Sequence, residues 1–123
     1  MKIKAIILAL ATIVSTTNFS LAHSPMKSTS PANEEQLAAV PDMLHLTFAK
    51  PARVLKVVMI HSTADASHET RVKLPTKDAV EEMRLTPEFM GAGNYKIEWR
   101  ALGEDGHVIK GEFTFEVTDE TAG

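Results

Sequence analysis

The stretch NYKIEWRA, residues 94–101, alternates strictly: Tyr95, Ile97, Trp99 and Ala101 fall on one side, and Lys96, Glu98 and Arg100 on the other. A period of two sorted by polarity is that of a strand with one face buried and one face wet; a helix would scatter these residues around its circumference. EFTFEV, residues 112–117, and MLHLTF, residues 43–48, repeat the pattern, with Phe113, Phe115 and Val117 and then Leu44, Leu46 and Phe48 facing inward. VLKVVMI, residues 54–60, is a more continuous β-branched run suited to a central strand. TRVKL (70–74) and EMRLT (82–86) are shorter candidates on either side of Pro75. The segment PANEEQLAAVPD, residues 31–42, is read as a possible helical turn ending before Pro41. Short strands separated by turn residues in a chain of 123 residues predict an all-β fold, a Greek-key β-sandwich or small barrel.

The amino-terminal segment does not belong to that domain. Lys2 and Lys4 precede an apolar run from Ile6 to Val14, and a polar stretch then ends in the small-x-small triplet Ser20-Leu21-Ala22, which is the layout of a secretory signal peptide. Its apolar core is well short of the roughly 20 residues that a spanning helix requires. The expectation is a removed segment, 1–22, followed by one domain, 23–123, exported and not inserted in the membrane.

Composition narrows the function. The chain carries 13 Lys and Arg against 16 Asp and Glu, a formal charge of −3, and losing Lys2 and Lys4 makes the remainder more acidic. Without a basic stripe or a set of aromatic platforms, nucleic acid is not an expected partner. The chain has no cysteine, so packing alone must stabilise an exported domain, and thiolate metal sites are excluded.

The turn GEDGHVIKG, residues 103–111, places Asp105 and His107 two residues apart, so that in near-extended backbone a carboxylate and an imidazole share one side. Asp-Gly turns are common and this spacing alone is a weak signal. His23 adds to it. Cleavage after Ala22 makes His23 the first residue, offering a free α-amine and an imidazole that can close a chelate ring on one ion. An α-amine loses its proton near pH ~7.7–8.0, far below a lysine, so a metal can displace that proton at neutral pH. His23, Asp105 and His107 together supply three nitrogens and one oxygen, a tetragonal set that suits Cu(II), one ion per chain.

These same residues carry a resemblance. A histidine after the signal, an early Ser24-Pro25, LTF followed by a proline, and GNYKIEWRALGEDGHVIKGEFTFEV near the end are similar to the CopC family of periplasmic copper-binding proteins, over nearly the whole mature chain. The resemblance implies an immunoglobulin-like Greek-key sandwich or barrel of about seven strands, a role in copper resistance or homeostasis without enzymatic turnover, and a Cu(II) site at His23, Asp105 and His107. It also implies a partner of the CopD type, an inner-membrane copper transporter.

One departure concerns the methionine-rich loop that gives some family members a Cu(I) site. Here that loop reads MIHSTADASHETRV, with Met59 as its one thioether, and soft Cu(I) favours several sulfur ligands. His61 and His68 are weak candidates there, expected to be exposed on the loop. Met26, Met43, Met83 and Met90 read as filler, His45 as an outward strand residue, Tyr95 and Trp99 as core, and Glu34, Glu35, Glu81 and Glu82 as solvated surface. Two other function classes stand beside the copper carrier. An amine-plus-imidazole clamp on copper also serves oxidases of the histidine-brace type, although Asp105 would occupy the position such chemistry needs open. A metal-free sandwich for adhesion or assembly differs from the carrier only in lacking a use for His23 and the Asp-x-His turn.

Overall fold

The computed structural model describes residues 25–118, and among them every regular element is a strand. These are β1 (Met26–Ser30), β2 (Glu35–Leu37), β3 (Leu44–Ser62), β4 (Ser67–Arg71), β5 (Ala79–Leu85), β6 (Gly93–Leu102) and β7 (Val108–Val117). The expected all-β class and strand number are what is observed.

The architecture turns on β3. MLHLTF and VLKVVMI, two separate expectations in the sequence, are halves of one 19-residue strand. Its first half, around Leu44–Phe48, carries β1 on one edge and β5 on the other, both antiparallel. Its second half, Arg53–Ser62, pairs with β6 on one edge, and β4 lies on the other edge from Val58 onward. β7 follows β6, and β2 closes that side. Pro51 does not interrupt the strand because it sits where one set of partners gives way to the other: the pairing with β5 is irregular between Thr47 and Ala52, and no ladder donor is needed there. A strand that changes layers at such an irregularity makes the corner of a sandwich.

Three boundaries differ from the sequence reading. Residues 31–42 form no helical turn; Glu35–Leu37 instead runs parallel to Phe115–Val117 as β2. Long-range hydrogen bonds decide this, with the Glu34 N–H donating to the Thr114 carbonyl at 2.6 Å and the Thr114 N–H to Asn33 Oδ1 at 2.9 Å. The TRVKL strand lies earlier, at Ser67–Arg71, leaving Val72 to bury its side chain and donate to the Val57 carbonyl at 2.8 Å. The EMRLT strand starts earlier too, at Ala79.

The inward positions of the alternating runs form the core: Leu44, Leu46, Phe48, Ile97, Trp99, Phe113, Phe115 and Val117 are all buried, joined by Val57, Met59 and Met83. Burying one such side chain contributes roughly 1.5–3 kcal/mol. Phe48 meets Trp99 edge to face at 5.6 Å, so the two halves of the sandwich are joined by aromatic contact. Trp99 fits only because its cross-strand partner is Gly111; a Cβ at that glycine would lie 2.7 Å from the indole ring. Tyr95 stacks on Phe115 at 4.9 Å, donates its hydroxyl to the Gly91 carbonyl at 2.6 Å and accepts from the Met90 N–H at 2.9 Å. That ties the segment before β6 to the sheet, much as a tyrosine corner does in related sandwiches.

Candidate metal centre

The turn between β6 and β7 is built by local rules. Gly103 donates its N–H to the His107 carbonyl at 2.9 Å, and Gly106 donates to the Gly103 carbonyl at 3.0 Å, so the five residues close on themselves. Gly106 sits at φ +84°, a left-handed conformation that a glycine adopts without strain. Asp105 Oδ1 accepts the His107 backbone N–H at 3.0 Å, an Asx turn that fixes the carboxylate above the loop.

The same carboxylate holds the imidazole. Asp105 Oδ2 lies 2.9 Å from His107 Nδ1 while both side chains remain largely exposed, 70% and 82%. The His107 hydrogen bond keeps the Asp105 carboxyl below the usual aspartate range, and the Asp105 hydrogen bond and charge raise the His107 imidazole above the ordinary histidine value. An ionised Asp105 can only accept, so Nδ1 carries the proton and Nε2 keeps a free lone pair directed at solvent. The sequence-predicted pair is therefore brought together, exposed, and in the tautomer that frees one nitrogen for a metal. The carboxylate–imidazole contact is also the arrangement by which proteins orient a ligating histidine.

His23 lies outside the described residues, but the strand order says where the chain leading from it enters. The Pro25 carbonyl accepts the Ala49 N–H at 2.9 Å, and Met26 pairs with Phe48. Four residues beyond Ala49, Arg53 pairs with Leu102, the last residue before the Asp-x-His turn. The first described residue is thus at the end of the sandwich that carries Asp105 and His107.

The secondary candidates are not gathered into a site. His61 is not exposed, as the loop reading expected: it ends β3 with 4% of its surface accessible, its Nε2 donates to the Ala92 carbonyl at 2.7 Å, and its ring lies against Tyr95. Gly93 makes this burial possible, since a Cβ there would lie 2.5 Å from the His61 ring. Met59 is core, and His68, the cross-strand partner of His61, is exposed. His45 points outward and its Nε2 meets Glu82 Oε1 at 2.7 Å, so that pair is a surface contact. Among the described residues no three histidine, aspartate or glutamate side chains converge on one point. Sequence reasoning missed the burial of His61; the glycine at 93 was its one trace, interpretable only once the β3–β6 register is known.

One pH effect follows from the turn. In a histidine NMR titration His107 should titrate above the ordinary value near 6.5, and Asp105→Asn should bring it back toward that value by removing the partner charge. A proton competes for the same lone pair, so any metal held at this nitrogen would be released as pH falls through the raised His107 value.

The geometry defines a small all-β sandwich with an exposed carboxylate–imidazole turn at one end, beside the point where the chain enters its first strand. The chain belongs to the CopC family: the CopC domain profile matches residues 26–118. Copper resistance protein C of Escherichia coli is 30% identical over 106 residues, covering 80% of this chain and 83% of that protein. Among solved structures, the selenomethionine form of PcoC, a copper resistance protein from Escherichia coli, aligns with a TM-score of 0.62 at 25% identity, over 76% of this chain and 98% of that one. CopC from Methylosinus trichosporium OB3b aligns at 0.60 and 26% identity, over 77% and 93%. PcoC described as a methionine rich copper resistance protein aligns at 0.57 and 28% identity, over 76% and 96%. No helix among the described residues is long and apolar enough to cross a membrane.

Proposed function

We propose that this protein is a periplasmic carrier or buffer of copper that holds one Cu(II) between the α-amine and imidazole of His23, the Asp105 carboxylate and His107 Nε2. The observation that carries the reading is the Asp105–His107 pair at 2.9 Å, solvent-facing and at the end of the sandwich where the chain enters. Copper here is cargo. A domain that must pick up and release an ion gains from ligands on an exposed turn, with a rigid sheet behind them and two ligands on a short amino-terminal arm. An ion on Nε2 lies on the far side of the ring from a carboxylate held at Nδ1, so for both to ligate one ion the Asp105–His107 hydrogen bond of the metal-free turn must open and the exposed side chains rotate about their χ angles. Membership of a family with copper resistance proteins supports copper over zinc or nickel, and nitrogen–oxygen ligation supports the cupric state.

The same geometry disfavours the oxidase reading. In the proposed site, three nitrogens and a carboxylate would fill the equatorial positions that oxygen activation needs. A CopD-type membrane transporter is the partner we propose for delivery or withdrawal of the ion. The test is a competition titration of the chain beginning at His23. It should bind one equivalent of Cu(II) and hold Cu(I) much less tightly, since Cu(I) favours several sulfur ligands and Met59 and Met83 are committed to the core. His107→Ala and Asp105→Ala should each weaken Cu(II) several-fold and leave metal-free stability within about ±0.5 kcal/mol. Equal affinity for Cu(I), or copper binding indifferent to both substitutions, would refute the proposed site.

A further inference from the structure

The outward face of β3, β6 and β7 has an unusual charge arrangement. Lys56 on β3 is the register partner of Arg100 on β6, and Arg100 is the partner of Lys110 on β7, so three cations stand side by side across three strands. Like charges placed directly opposite destabilise a sheet. None of the three makes an ion pair among the described residues; of the two carboxylates on this face beside them, Glu98 turns to Lys96 at 3.9 Å, and Glu112 is the register partner of Glu98. Together Lys56, Val58, Glu98, Arg100, Lys110 and Glu112 line a groove of about 450 Å³.

Toward the Asp-x-His turn this face becomes apolar. The next register row is Arg53, Leu102 and Val108, and the irregularity between Val54 and Lys56 pushes Leu55 outward. Leu55 and Val108 are 44% and 56% exposed, two of the five large apolar side chains left on the described surface. An apolar centre with a polar, arginine-bearing rim is the anatomy of a protein–protein interface, and in a chain of net negative charge this patch is locally inverted.

We propose that this face is a docking surface for an acidic segment of a partner protein, with an apolar residue of that segment seated on Leu55, Leu102 and Val108 and its carboxylates along Lys56, Arg100 and Lys110. Charge complementarity selects the occupant: none of the three cations makes an ion pair among the described residues, and the carboxylates of a partner segment supply the counter-charge. A planar anionic lipid surface fits less well, because Glu98 and Glu112 line the same groove and a uniformly anionic plane meets them as well as the cations, whereas a peptide can set its carboxylates on the cations alone. The face adjoins the turn, so a partner seated there is within reach of the ion. That last link rests on the proposed copper site, whereas docking itself is measured on the metal-free chain, so the two ideas fail separately.

The probe is a short fluorescein-labelled peptide of alternating glutamate and leucine, with a lysine–leucine peptide as control, followed by anisotropy and by amide chemical-shift mapping of the unsubstituted metal-free chain. The acidic peptide should bind, weaken as salt is raised, and shift the amides of Leu55, Lys56, Arg100, Val108 and Lys110. The triple variant Lys56→Glu, Arg100→Glu, Lys110→Glu should lose about tenfold or more in affinity, while Lys27→Glu, Lys77→Glu and Arg84→Glu together should leave it within about twofold. Shifts mapping elsewhere, equal binding of both peptides, or no binding of the acidic peptide would overturn the proposal. So would retention by phosphatidylglycerol vesicles, lost in the triple variant, without peptide binding. If the triple variant fails to fold, the shift map of the unsubstituted chain still decides.

Discussion

Trp99→Ala should cost the metal-free domain on the order of 3–5 kcal/mol in denaturant unfolding, the range for a large aromatic removed from a packed core. Trp99 is 5% exposed, meets Phe48 edge to face across the sandwich, and covers Gly111 so closely that no side chain fits between them. Truncation therefore opens a cavity that Gly111 cannot fill, and it removes the aromatic contact between the first half of β3 and the β6–β7 hairpin. With no cysteine in the chain, no disulfide holds the two layers together once this packing is lost. A loss below about 1 kcal/mol would mean that the core collapses around the gap, and that Trp99 is not what joins the layers.

The sheet was legible in the sequence wherever one face is buried and the other wet. NYKIEWRA and EFTFEV have their inward residues buried as alternation predicts, because burial of every second residue is a property of the strand itself. What alternation does not contain is partner choice. The union of MLHLTF and VLKVVMI into one bent strand depends on β1 and β5 releasing β3 where β6 takes it up, and Glu35–Leu37 became a strand because Phe115–Val117 offered it a free edge. Neither fact is written in the segment concerned. The Asp-x-His turn was legible because its geometry is local: Gly106 and the Asx bond fix it within five residues. The burial of His61 was not, since it is set by Gly93, more than thirty positions away. The cation row was half legible, in that Arg100 was seen to point outward, but its meeting with Lys56 and Lys110 is a matter of register alone.

The proposed site also makes its copper affinity depend on maturation. Its two strongest donors, the α-amine and the imidazole of His23, belong to one residue, and the amine exists only when residue 22 has been cut away. While Ala22 remains attached, that nitrogen is an amide, which ligates poorly unless it is deprotonated. Export and cleavage would then strengthen the site, and the precursor would hold copper more weakly than the mature chain.

The measurement that tests this most directly compares Cu(II) affinity, by competition titration, for the chain beginning at His23 and for the same chain with one glycine placed before His23. The account predicts a loss of at least about tenfold, which is about 1.4 kcal/mol, because a nitrogen ligand and its chelate ring disappear while Asp105 and His107 are untouched. Equal affinities would contradict it, since the amine would then not be a ligand and His23 would be only the residue that follows the cut.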